Sequence, residues 1–393
     1  MLTSIFADLH IHIGGTMSGK AVKITASRKM TLQSILEEAS ERKGMEIIGV
    51  IDAHAPEVQA ELQELIDRKK AVAHPYGGIH YKRTMLLLGC ELEIKEPDRG
   101  EAHFLCYMPD LRRMRLFTEW LAVRCKNVHL SSQRVYTRLR ELQNFVYQHD
   151  GLMIPAHIFT PHKGLYGSCT DHLSEVADPT FIYAVELGLS ANTDMADRLQ
   201  ELHEKTFVTN SDAHSLVKIG REYQVILQKE PSYQEWVMAM RREKQRRVEC
   251  NYGLSPQLGK YHQTACQGCG SMERENDVGR CPACGYKRMV RGVSQRIEQL
   301  ADIPVGIHPP HRPPYVEQIP LEFLPGVGPK LQQKMYEQIG TEMDVLHRAD
   351  EETLRRVLGE KVTSLILKAR RGELLIQAGR AGIYGKVVRE IGE

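Results

Sequence analysis

The chain has 393 residues, 42% of them hydrophobic and 26% charged, with a formal net charge of +2. That length buries a full core and divides into two or three domains. The composition is globular, and the lack of any apolar run long enough to cross a bilayer excludes a membrane-spanning role. A balance this near neutrality says little about partners unless basic residues gather locally.

The first predicted strand begins almost at Met1, which leaves no room for a signal peptide. Of nine cysteines, Cys90, Cys106, Cys125, Cys169 and Cys250 are scattered without spacing, which points to a reducing compartment, the cytoplasm. In the opening strand, "ADLHIHIGG", a period of two puts Asp8, His10 and His12 on one face and Leu9, Ile11 and Ile13 on the other. "TLQSILEEASERKG" follows as a helix with Thr31 as N-cap and Leu32, Ile35, Leu36 and Ala39 on its apolar side. "IIGVIDAH" then ends in Asp52 and His54, "LLLGCELEI" carries Glu91 and Glu93, "GEAHFLCYM" carries His103, "LMIPAHIF" ends near His157, and "TFVTNSDAH" ends in Asp212 and His214. "APEVQAELQELIDRKK" and "SSQRVYTRLRELQNFVYQHD" read as helices between them. Alternating strands and helices predict a parallel α/β arrangement, a barrel, with its site at the C-terminal strand ends. A lone histidine is usually a satisfied or surface residue, and His129, His149, His172 and His203 are read that way. Eight His, Asp and Glu side chains at six strand ends differ, because burying them together without a cation is very costly. Imidazoles with two or three carboxylates suit zinc, manganese or iron, and a carboxylate can bridge two ions that activate water on a phosphoester; Mg2+ or Mn2+ can also serve the activity.

Past this region, "MRREKQRRVEC" concentrates Arg241, Arg242, Lys244, Arg246 and Arg247, read here as a basic helix against the plainer alternative of a solvated charge run. Cys266, Cys269, Cys281 and Cys284 follow as CxxC, eleven residues, CxxC, each pair followed by Gly, which predicts a closed structural zinc site. "IPVGIHPPHRPPY" reads as a stiff extended linker. "QIPLEF" (Gln318, Leu321, Phe323) loosely resembles a bacterial sliding-clamp peptide, with packing against the following helices as the alternative. In "FLPGVGPKLQQKMYEQIG", Gly326 and Gly328 precede a helix as in a helix-hairpin-helix module, where backbone N–H groups approach a DNA phosphate. Lys330, Lys368, Arg370 and Arg371 are its candidate phosphate contacts.

The motifs "DLHIH", His54, Glu91, His103, His157 and "SDAH" resemble those of the polymerase and histidinol phosphatase (PHP) superfamily. The resemblance implies a distorted seven-stranded barrel with three metal ions and phosphoester hydrolysis. It also implies His10, His12, His54, Glu91, His103, His157, Asp212 and His214 as ligands, with Glu91 bridging. Asp8 and Asp52 then take supporting places, Asp8 by orienting a histidine. The chain departs from the family after HxH, where "GGTMSGK" offers no further His or Asp. The order of parts, with "GVIDAH", "GCELE" and "PAHIFTPHKGLYG", is similar to the endonuclease Q family. This implies cleavage of DNA on the 5′ side of uracil, hypoxanthine, xanthine and abasic sites, with the lesion flipped into a pocket. Thr160, His162, Lys163 and Tyr166 in "HIFTPHKGLYGS" are the candidate pocket residues. The resulting division is a barrel over 1–225, the basic helix and zinc module over 226–300, a linker over 301–320 and a helix-hairpin-helix-like domain over 321–393, in a cytoplasmic, nucleoid-associated protein. Two alternatives remain: a phosphomonoesterase of the histidinol phosphatase kind, and a non-catalytic polymerase-associated DNA-binding module.

Overall fold

In the computed structural model, which describes residues 1–272, 280–287 and 289–374 and the backbone of Ile376–Gln377 and Lys386–Val387, the N-terminal strand β1 (Thr3–Ile11) lies mid-sheet. On one side it pairs in parallel with β2 (Ile47–Val50), and β2 with β3 (Thr84–Lys95). Next comes β4 (Glu101–Met108), antiparallel to β3 and also to β5 (Leu152–Pro155). The parallel pair β6 (Ala184–Glu186) and β7 (Thr206–Val208) continues the circuit. Ile158 N donates to Glu186 O at 2.9 Å, and the segment after β7 returns to β1, where Ala213 N donates to His10 O and His12 N to Ala213 O, each at 3.1 Å. The strands therefore curl back onto themselves.

The sheet is mixed, not parallel as the alternation predicted. Residues 96–100 between β3 and β4 are too few for a crossover, so the two strands form a hairpin. One consequence is that His103 reaches the site from the beginning of an antiparallel strand rather than from a C-terminal end. The interior is filled by alternate residues, among them Ile5, Ala7 and Leu9 of β1, Leu87 of β3, Leu105 of β4 and Val208 of β7. Trp236, on helix α5 (Tyr233–Met240), closes it from below, its ring 4.9 Å from that of Tyr107. Outside pack α1 (Leu32–Glu37), α2 (Pro56–Asp67), α3 (Leu111–Ala122) and α4 (Leu139–Gln148). Thr31 caps α1 by accepting from Ser34 N at 3.2 Å. The helix expected over "SSQRVYTRLRELQNFVYQHD" begins only at Leu139, because Ser132 takes a left-handed φ of 52° and residues 131–138 form a loop.

The sheet does not end at residue 225. On its other side β1 pairs with β8 (Tyr223–Gln228), β8 with β9 (Arg247–Gly253), and β9 in parallel with β10 (Tyr315–Glu317). The basic run is a turn between α5 and β9, with Arg242, Lys244 and Gln245 at positive φ; Arg246 pairs with Glu235 at 2.9 Å and Arg247 with Glu249 at 3.4 Å. It is the solvated charge run. The Pro-rich segment is bound to the barrel. The Arg312 guanidinium is buried 2.9 Å from Asp197 and 3.4 Å above the Phe207 ring, and bonds the Leu202 and Lys205 carbonyls. "QIPLEF" packs: Gln318 and Leu321 are buried, and Gln318 accepts from Tyr223 Oη at 2.6 Å, so its side chains are turned away from any clamp.

Helices α6 (Val293–Leu300), α7 (Pro329–Gln338), α8 (Glu351–Leu358) and α9 (Glu360–Arg370) complete the described elements used below. Arg370 donates to Val345 O at 2.6 Å and Ala349 O at 2.8 Å, closing an internal helix end instead of facing a phosphate. The last helical unit docks through a buried Lys43–Glu342 pair at 2.5 Å and through His347, whose ring lies against Phe6 and Tyr252. Of the domain expected over 321–393, residues 375, 378–385 and 388–393 lie outside the described residues.

Candidate metal centre

The site begins with one extra residue in β1. The pairing of β1 with β2 slips by one between Asp8 and Ile11. Leu9 therefore joins Ile5 and Ala7 inside, while Ile11 and Ile13 join the outer core. The slip turns His10 and His12 to the inner rim and parts them from Asp8, which strict alternation had placed beside them. Asp8 orients no imidazole: its carboxylate accepts from Ser211 N at 3.1 Å and Gly220 N at 2.9 Å, fixing the segment after β7 against β1. The ring-orienting carboxylates are Asp52, 3.1 Å from His12 Nδ1, and Glu186, 2.9 Å from His10 Nδ1. Glu186 ends the apolar run "FIYAVELG", the same strand-end signal as the others, and was missed.

With Nδ1 engaged, both Nε2 atoms look toward shared carboxylates. His10 Nε2 lies 3.4 Å from Asp212 Oδ1 and 3.5 Å from Glu91 Oε1; His12 Nε2 lies 3.6 Å from Asp212 Oδ1 and 3.6 Å from Glu91 Oε2. Across Glu91, His103 Nδ1 is 2.8 Å and His157 Nε2 3.5 Å from Oε1. The described residues thus form two groups of three donors with ligand atoms within 4.8 Å of one another: His10, His12 and Asp212, and Glu91, His103 and His157. His157 and Asp212 hold positive φ of 32° and 46°, backbone strain concentrated at the site.

Charge follows this geometry. Burial opposes a charge on His10, yet Glu186 and Asp212 outweigh it and raise its pKa well above the ordinary value. Burial and Lys23 lower His12 to about 4. Burial works against ionisation of Glu91, but His103 and Lys23 hold its carboxyl well below the usual range. His10 Nε2, His12 Nε2 and His103 Nε2 are buried without a hydrogen-bond partner, which native interiors rarely tolerate. Converging imidazole nitrogens and carboxylate oxygens fit divalent ions of the zinc or manganese kind. His54 and His214 join neither group: His54 Nε2 lies 3.3 Å from Leu130 O with its Nδ1 buried and unpartnered, and His214 Nδ1 lies 3.0 Å from Asp212 O and 3.5 Å from Asp212 Oδ1.

Beside the two groups opens a cavity of about 470 Å³. Thr160, His162 and Lys163 line it, as do Lys260 and Tyr261, which sequence reasoning did not single out. Lys163 Nζ pairs with Glu93 at 2.8 Å, and the His162 and Tyr261 ring centres are 5.3 Å apart. Tyr166 lies elsewhere: it is fully buried in the core, its hydroxyl donating to Glu201 at 3.0 Å.

The four thiols of Cys266, Cys269, Cys281 and Cys284 also lie within 4.8 Å of one another and form no disulfide. The Cys269 and Gly268 backbone N–H groups draw the Cys266 thiol down, and the Cys284 thiol beside it moves the opposite way. Just past this cluster, Arg296 on α6 donates to Tyr166 O at 2.6 Å and Thr170 O at 3.3 Å, holding the loop that lines the cavity. Farther on, Gly326 has φ 92° and Gly328 caps α7 with open space where a Cβ would stand; Lys330 is exposed on the first turn.

No protein-family model matches the chain. The uncharacterized protein YqxK of Bacillus subtilis is 50% identical over 388 residues, 98% of this chain and 100% of that one. The uncharacterized protein MJ0043 of Methanocaldococcus jannaschii is 37% identical over 252 residues, 58% of this chain and 31% of that one. Among solved structures, the lesion-specific endonuclease PfuEndoQ from Pyrococcus furiosus matches with a TM-score of 0.82 and 30% identity, covering 98% of this chain and 95% of that chain. An Endonuclease Q complex with a 27-mer duplex substrate carrying an abasic lesion at its active site matches with a TM-score of 0.84 and 30% identity, over 99% and 97%.

Proposed function

The chain belongs to the endonuclease Q family, and from that premise we propose that it is a DNA repair endonuclease cutting the phosphodiester 5′ to uracil, hypoxanthine, xanthine and abasic sites. The observation that carries the reading is the pair of three-donor groups joined by Glu91 on the wall of the cavity. We read the strand circuit as the distorted seven-stranded PHP barrel, and residues 321–374 as the described part of a helix-hairpin-helix-like DNA-binding unit.

His10, His12 and Asp212 would hold one divalent ion and Glu91, His103 and His157 another. Such ions, when bound, supply an activated water and charge compensation for the departing oxygen. The protein's own part is orientation and exclusion. Glu186 and Asp52 fix the two imidazoles, and the cavity, within the roughly 300–1,000 Å³ of single-ligand sites, admits one extruded nucleotide and no duplex. Lys163, or a backbone N–H of its loop, donates to a keto oxygen; cytosine and adenine present an amino donor there instead and are refused. Zinc in the four-cysteine module serves structure, and Mg2+ or Mn2+ can support cleavage. The enzyme acts on the nucleoid, in the cytoplasm.

The test uses otherwise identical duplexes carrying U·G, I·T, an abasic site, C·A or A·C, with product ends mapped, beside a simple phosphomonoester. Cleavage 5′ to the lesion is expected for the first three. Equal cutting of mispaired normal bases would leave helix instability as the cue, and preferential turnover of the monoester would reassign the enzyme. His12→Ala or Glu91→Ala should abolish cleavage while DNA binding persists.

A further inference from the structure

Lys23 belongs to none of the sequence motifs, yet its ammonium reaches the metal centre. Its backbone N–H donates to Ile13 O at 2.8 Å, which anchors the residue just beyond the HxH strand. Nζ lies 3.1 Å from Glu91 Oε2 and also donates to Ser132 Oγ; Ser132 in turn donates to the same carboxylate oxygen. Ser132 holds its strained left-handed backbone in doing so, and its neighbour Ser131 sits 3.2 Å from His12 Nδ1. Two protein donors therefore occupy Oε2, while Oε1 faces His103 and His157.

The PHP resemblance implies three ions in the barrel, and the described residues assemble donors for two. The histidines left over, His54 and His214, are the two that join neither group. The carboxylates beside them, Asp212 by His214 and Asp52 by His54, are already engaged by His10 and His12, which leaves two imidazoles as a poor set for a further divalent ion. Charge leads to the same conclusion. Glu91, Asp52 and Asp212 all attract the Lys23 ammonium, a compact cation with three donors, and its side chain is 14% exposed.

We propose that the barrel takes two divalent cations and that the Lys23 ammonium stands in place of a third, holding Glu91 Oε2 and supplying the remaining positive charge. Lys23 is then a positioning residue acting through Glu91. The proposal rests on the metal-centre reading but not on lesion choice.

Elemental analysis of the full-length protein equilibrated with Mn2+ tests it directly, needing no variant. Two barrel ions are expected beyond the zinc of the cysteine module; three would overturn the proposal alone, while none, with Glu91→Ala unchanged, would overturn the metal-centre reading with it. Lys23→Met should lower cleavage about 100-fold and regain it at high Mn2+ as a third ion enters. Lys23→Arg should keep its activity without extra Mn2+. Wild-type cutting by Lys23→Met, or a loss that Mn2+ does not restore, would overturn the proposal.

Discussion

Glu186 is a single carboxylate with three duties. It accepts from the His10 ring at 2.9 Å, from His157 N at 3.1 Å and from Asn210 Nδ2 at 2.8 Å, so it sets one ligand's tautomer and another's backbone together. Removing such a partner typically weakens metal binding by about 10–100-fold without removing a ligand. Glu186→Ala should therefore lower affinity by that order in a chelator competition, with the fold intact by circular dichroism; unchanged affinity would make Glu186 a packing residue. Every member of the two three-donor groups is among the candidates visible in the sequence, because polar side chains that bound or interrupt apolar runs are conspicuous at a period of two. Lys23, Ser131 and Ser132 were invisible for the opposite reason. They sit in irregular loops, where no periodicity marks them, and only the fold carries them to Glu91. The role of Asp8 was misjudged because a one-residue slip in register leaves no mark in composition.

Among elements, the turn and helix around Gly328 give a clear expectation. Truncation before this segment cannot isolate it cleanly, since Tyr315–Glu317 is a strand of the main sheet. Point changes isolate it better. Lys330→Glu should weaken DNA affinity across all sequences and reduce the salt slope by about one, leaving lesion preference unchanged. A changed preference would place Lys330 near the base instead. The four-cysteine spacing was fully legible, as was the N-cap of α1, because both depend on local chemistry. The hairpin of β3 with β4 was legible in principle, in the short "EPDRG" turn, but the strand–helix alternation around it suggested a parallel crossover. The basic run misled because charge density says nothing about acidic neighbours such as Glu235, contributed by the preceding helix.

At the scale of the molecule, the C-terminal helices and the sheet share one titratable contact. His347 Nε2 lies 2.5 Å from Tyr223 Oη between the Phe6 and Tyr252 rings, and burial, with Arg370 and Arg348 nearby, lowers its pKa from 6.5 to about 4. Between those values the unfolded chain holds a proton that the folded one lacks, so stability rises with pH across the window and is lost as pH falls through it. The contribution is at most roughly 3 kcal/mol. Urea unfolding at pH 5 and pH 7 should show it, and His347→Leu should flatten the difference; an equal slope in the variant would assign the effect to other histidines. Domain limits were the least legible feature, since nothing in "PPYVEQ" announces that it completes a sheet begun at Thr3. That late completion also bears on biosynthesis. On the ribosome, at about 5–20 residues per second, the outer edge of Arg247–Gly253 waits several seconds for Tyr315–Glu317, while the cysteine cluster is still being translated between them. An open strand edge is a template for pairing with other nascent chains. A metal ion captured by the four thiols as they emerge would compact the intervening stretch and favour pairing with the strand's own partner, a contribution to the yield of the newly made chain as well as to its finished shape.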